Sequence, residues 1–202
     1  MAALGFRCSP PEGAVAGVLH SWLARRRLKK GVKRFADWLW QEPSATDVEW
    51  LASNVTGGDV DRAAWELRYA RRALGLLVAE RDSLDDRTAS LVAQEIAART
   101  KLDRNVAPSL VGLAERQFDQ RLKSYRDVVL GVPASRLTAE PLAKAFAEIV
   151  VPGMELPANV SGRLGAILLA YVVGANETLR AAVGPAALPD DLPPSALAQR
   201  WS

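Results

Sequence analysis

From residue 14 onward, apolar residues recur at spacings of three and four, and no run alternates with period two between turn residues. The pattern predicts an all-α chain. A first helix from about residue 14 carries Val15, Val18, Leu19 and Trp22 on one face. At about 100° per residue that face continues into Arg26, Lys29 and Lys33, whereas the next apolar set, Leu28, Val32, Phe35 and Leu39, lies well around the helix from it. One straight helix cannot bury both sets against one surface. A break or a change of partner is therefore expected near residues 24 to 31, with Gly31 as the weak point.

Pro43 ends that region, and Thr46-Asp47-Val48-Glu49 reads as a capping box opening a short helix. Asn54 to Gly58 is a turn, and Asp59 is placed to cap a long helix from about 60 to 81. Ser83, with Asp86 three residues on, predicts the next start, and that helix runs to about 101. Pro108 sits in the first turn of a helix with Val111, Ala114, Phe118, Leu122, Tyr125 and Val129 in rhythm and Gly131 at its end. Thr138 opens a helix that Pro152 and Gly153 stop. The last helix, about 160 to 183, is apolar nearly all round. Its Gly162, Ala166, Ala170 and Gly174 fall at intervals of four, a stripe predicted to admit another helix closely.

Short loops make these neighbours antiparallel, so the expected fold is an antiparallel helical bundle of about six to eight helices. Residues 1 to 13 and the Pro-rich tail 185 to 202 are expected to be irregular arms flanking a helical domain over 14 to 184. No 33 to 45 residue self-similarity suggests a solenoid.

Charge changes the picture locally. The chain of 202 residues has a formal net charge of +3, yet residues 25 to 34 (RRRLKKGVKR) carry +7 and no acid, leaving −4 for the rest. A whole-domain nucleic-acid footprint is not what this looks like. No run of about 18 uninterrupted apolar residues exists, so no transmembrane span is expected. The start of the chain lacks a basic region followed by an apolar run, and its scarcity of acids resembles a transit peptide only faintly; a cytoplasmic location is expected.

Single copies restrict the chemistry. One cysteine, Cys8, excludes an intramolecular disulfide, and one histidine, His20, excludes sites built on two His or a Cys cluster, including carboxylate-bridged di-iron centres with Glu-x-x-His pairs. Neither residue has an identifiable base or orienting acid beside it, so no catalytic residue, metal or cofactor is expected. Glu80, Asp82, Asp85 and Asp86 cluster across a helix junction, where acids can hold a divalent ion. Capping and the helix dipole select the same residues, and Arg81 and Arg87 neutralise them, which is the stronger reading. Neither GxxxxGK[ST] nor GxGxxG occurs, and the GxxG of residues 162 to 165 reads as part of a helix. Trp50 and Trp65 are assigned to the core.

The basic segment stands out. In a helix over residues 26 to 40, Leu28, Val32, Phe35 and Leu39 form an apolar stripe flanked by Arg27, Lys29, Lys30, Lys33 and Arg34, with Trp38 and Trp40 at its end. That pattern suits an acidic protein partner or assembly neighbour first, an anionic membrane surface second and nucleic acid third. The competing reading makes the stripe core and the charges its solvated back. The function expected is a non-enzymatic interaction protein, an adaptor or small subunit, that docks through Arg25, Arg26, Arg27, Lys29, Lys30, Lys33, Arg34, Trp38 and Trp40. The alternatives are a nucleic-acid-binding regulator using the same residues and a divalent-metal enzyme using the acids of residues 80 to 86.

Overall fold

A computed structural model describes the backbone of residues 12–83 and 86–184, and side chains from residue 22 to 83 and 87 to 184. These residues form seven α-helices and two short 3-10 turns, with no strand among them. In chain order the helices are α1 (Glu12–Leu39), α2 (Ala45–Asn54), α3 (Val60–Asp82), α4 (Asp86–Lys101), α5 (Val111–Leu130), α6 (Ala139–Val150) and α7 (Ala158–Val183). They pack as the all-α bundle the periodicity predicts. Residues 1–11 and 185–202, to which the sequence assigns irregular arms, lie outside the described residues, while Glu12 and Gly13 already belong to α1.

The centre is α3, which is buried along most of its length, including Leu67, Ala70, Leu74, Leu77 and Val78. It packs against α5, α7, α2 and α4, while α7 joins it to α1 and α6. Each fully buried Leu or Phe side chain contributes about 1.5–3 kcal/mol. Gly31 of α1 meets Ala182 and Trp38 meets Gly174, so α1 and α7 run antiparallel. Tyr69 meets Gln117 and Glu80 meets Arg126, so α3 and α5 run parallel, with α4 returning the chain between them. Among the described residues α7 is long and apolar enough, by length and composition, to cross a membrane, as is also true of core helices in soluble proteins, although its uninterrupted apolar run falls short of about 18 residues.

Helix starts follow local chemistry, with two departures from the expectation. Asp59 caps α3 by accepting from the Arg62 amide at 2.9 Å, as its position predicts. The cap of α2 is Ser44, two residues before the expected Thr46, with Oγ 3.4 Å from the Asp47 amide. Either serine or threonine satisfies a free amide there, and Pro43 immediately before Ser44 keeps the chain extended until the helix begins. Ser83, expected to open α4, instead ends α3, its backbone N–H donating to Ala79 O at 3.1 Å.

α1 overturns one half of the larger expectation, the break, while its surroundings do change at Leu28. It is one continuous 28-residue helix with no break near residues 24 to 31. Of its two apolar sets, Val32, Phe35 and Leu39 enter the core, whereas Trp22, the one member of the other set whose side chain is described, is 52% exposed. Gly31 is not a weak point. It is where α1 and α7 touch, and a Cβ there would run into the carbonyl oxygen of Ala182.

The small-residue stripe of α7 is likewise corrected. Gly162, Ala166 and Ala170 are exposed, and only Gly174 meets a neighbour, the edge of the Trp38 ring. The close helix approach occurs one position round, at Gly165, against the backbone of Ala139 at the start of α6. Leu164, Leu168, Tyr171 and Val172 turn inward with it, because burying larger apolar side chains removes more surface from water than burying alanines.

Candidate functional site

Residues 22 to 27 are all exposed, which covers more than one full turn of helix. A helix packed on a core is exposed on one side; along this stretch of α1 every residue is exposed, with Ala24 and Arg27 facing the end of α7 across an open cleft. The stretch carries Arg25, Arg26 and Arg27, and Arg26 lies over the Trp22 ring at 5.4 Å. From Leu28 onward the helix enters the bundle, and Lys29, Lys30, Lys33 and Arg34 occupy its exposed side. None of these seven cations forms a salt bridge with a described residue. Arg27, Lys30 and Arg34 line an open cleft of about 590 Å³ whose other wall is Ala182, Val183 and Gly184.

The apolar part of the predicted site is not available. Val32, Phe35 and Leu39 are buried and Leu28 packs against them, so residues 26 to 40 offer no free apolar stripe to a membrane or partner. Trp38 and Trp40 are half-buried in contacts of their own chain. Trp38 stacks on Phe35 at 6.4 Å between ring centroids, with the Arg71 guanidinium 5.4 Å from its ring. Arg72 lies 4.0 Å and Arg99 5.6 Å from the Trp40 ring. Both tryptophans give much of their surface to contacts that hold the end of α1 on the bundle. Their alternation with Trp22, which does stay exposed, gave the sequence no means of telling anchor from contact.

The acidic junction resolves into pairs. Glu80 accepts from Arg126 at 2.9 Å, and Asp82 accepts from the Arg81 Nε and Nη2 at 2.7 and 3.0 Å and from the Asn176 amide. Leu84 and Asp85 lie outside the described residues, as does the Asp86 side chain. No group of three acids, His or Cys suited to a metal ion occurs among the described residues.

Several polar features were not anticipated. Arg121 and Glu66 form a buried bidentate pair at 2.5 and 3.0 Å, with Tyr69 beneath the guanidinium and donating to Gln117 at 3.0 Å. Arg72 and Asp103 pair at 3.2 Å in a second buried contact. Burial pulls the Arg72 pKa below its ordinary value against the opposing effect of Asp103. Helical periodicity places Glu66 and Arg121 on inward faces, but 55 positions of separation hide the pairing. Trp65 with Tyr69 borders a pocket of about 190 Å³, and Trp50 lies under Arg163 at 4.7 Å, so both are half-buried rather than core.

A groove of about 360 Å³ opens between α4 and α5 over α3. Leu76, Ile96, Phe118 and Leu122 floor it, and Glu80, Glu115 and Asp119 stand along it. Acids one turn apart on α5, at 115 and 119, beside Phe118 and Leu122 were its signal in the sequence. Comparison with protein-family models, curated proteins and solved structures finds no match. Function therefore has to be argued from this geometry.

Proposed function

We propose that this chain is a non-enzymatic interaction protein, an adaptor or small subunit of a larger assembly, that docks on an acidic partner through the exposed basic middle of α1, residues 22 to 30. One observation supports this reading above the others: residues 22 to 27 are all exposed and hold Arg25, Arg26 and Arg27, none in a salt bridge with a described residue, beside exposed Trp22 and Leu23. An exposed helical turn gains little from packing and is only marginally stable from its own propensity. Arg and Trp are the side chains that contribute most to interfaces, and a cluster of like charges speeds and orients encounter with an opposite surface. Lys29 and Lys30 extend the cluster toward the bundle, whereas Trp38 and Trp40 serve as anchors.

The test is capture from native extract at moderate salt, comparing wild type with an Arg25→Glu, Arg26→Glu, Arg27→Glu variant. Proteins with acidic surfaces should be retained by wild type and lost by the variant, with helicity and unfolding free energy unchanged within about 0.5 kcal/mol, as for ordinary surface changes. Identical retention by the two would overturn the reading. Retained nucleic acid, lost steeply with log salt, would replace it by the nucleic-acid reading. Retained anionic lipid would replace it by the membrane reading.

A further inference from the structure

We infer that the chain self-associates, the basic middle of α1 in one copy, with the apolar positions just before it, docking in the acid-rimmed groove between α4 and α5 of another. The inference rests on the docking role proposed for α1 and names its partner. Two unpartnered surfaces of this one chain complement each other. The acceptor has an apolar floor, with Phe118 and Leu122 from α5 and Ile96 from α4, and the small side chains of Ala93 and Ala97 leave the space between the helices open. Glu115 and Asp119, one turn apart on α5, form no salt bridge with a described residue, whereas Glu80 is held by Arg126.

The donor supplies the reverse. The sequence of α1 has apolar residues at 15, 18, 19 and 22, the i, i+3, i+4, i+7 spacing with which helices dock in grooves, followed at once by three arginines. Residues 22 to 30 carry five positive charges and no acid. Docking places apolar positions over the floor and cations against the two free carboxylates, so shape and charge agree.

Contact between copies follows from how α1 is held. No residue of α1 lines the groove, and α1 is continuous through Gly31, where it is pinned to the backbone of α7. A helix without a break cannot fold back to its own acidic groove. The other cleft, lined by Arg27, Lys30 and Arg34, carries the same sign as α1 and rejects it, which directs a second α1 to the acidic site. Reciprocal docking closes a two-fold dimer, and it doubles a modest contact toward the roughly 1,200 Å² that stable interfaces bury.

Sedimentation equilibrium of the full chain tests this. Wild type should associate with rising concentration, more weakly in high salt. An Arg26→Glu, Arg27→Glu variant and a Glu115→Lys, Asp119→Lys variant should each associate at least about tenfold more weakly, with unchanged far-UV circular dichroism, since like charges then face each other. Mixing the two should restore a one-to-one complex, because wild-type α1 meets a wild-type groove in one direction and the reversed charges meet in the other. Wild type that stays monomeric up to about 100 μM at low salt, or a groove variant that associates like wild type, would overturn the inference. If wild type is monomeric yet still retains an extract protein that the α1 charge reversal loses, only this inference fails. Loss of neither would overturn the docking role as well.

Discussion

Glu66 and Arg121 show how the interior tolerates charge. Each side chain is under a tenth exposed, and the bidentate contact supplies the hydrogen bonds that burial removes. Glu66→Ala should cost about 3–5 kcal/mol in urea unfolding because it strands the guanidinium, whereas Glu66→Leu with Arg121→Met should cost much less. A single substitution as mild as the double one would show that the pair is solvated. The neighbouring Tyr125 hydroxyl is buried and has no hydrogen-bond partner among the described residues. Burial foremost, with Glu66 adding to it, pushes its pKa well above the ordinary tyrosine value, and burial also raises Tyr69 and Tyr171. A raised folded pKa means the folded state holds the proton more tightly. Stability is therefore full below about pH 10 and falls as pH rises through the folded values. The urea midpoint should drop above that pH, and Tyr125→Phe should flatten the drop while leaving neutral-pH stability equal or about 1 kcal/mol higher. A midpoint independent of pH above 10 would contradict this. Such details were not legible beforehand: periodicity says that positions 66, 121 and 125 face inward, not which distant helix supplies the partner.

At the scale of elements, the start of α3 followed from Asp59, because a cap acts within a single turn, whereas Pro108 opens a 3-10 turn just ahead of α5 and Thr138 precedes α6 without a side-chain cap hydrogen bond. The faces of α1 and α7 did not follow. In α7 the stripe 162, 166, 170, 174 and the true contact at Gly165 differ by less than a turn, and small residues fit a tight interface and an exposed face equally well. The difference is measurable. Gly165→Ala should destabilise by about 1–3 kcal/mol, since its Cβ would meet the Ala139 backbone, which cannot swing aside. Gly162→Ala has open space and should stabilise by about 0.5–1 kcal/mol through helix propensity. Equal effects in thermal or urea unfolding would mean that α7 is rotated from this packing. In α1 the conflict between apolar faces was visible in the sequence, but its resolution depended on where α7 ends. The helix runs unbroken past the Gly31 contact with Ala182, and Trp22 of the surplus face is exposed.

For the whole molecule, charge segregation is the organising fact. The concentration of +7 in ten residues was plain in the sequence, and so was the bundle. What required three dimensions was the division of α1: from Leu28 onward it is anchored through Val32, Phe35, Trp38 and Leu39, while residues 22 to 27 are exposed. Reversing Arg25 to Arg27 should therefore remove binding without loosening the fold, and replacing Phe35 by Ala should do the opposite, destabilising by about 3–5 kcal/mol. The acidic groove was hidden for a similar reason, since its lining comes from three helices that meet only in the folded chain. The central claim is that α1 makes its contact through residues 22 to 30. The most direct measurement is amide hydrogen exchange of the chain alone and in the complex it forms, resolved along the sequence. The account predicts fast exchange at residues 22 to 27 in the free chain and strong protection there in the complex, accompanied by α4 and α5 if the partner is a second copy. Protection gained elsewhere, with residues 22 to 27 exchanging as before, would contradict it.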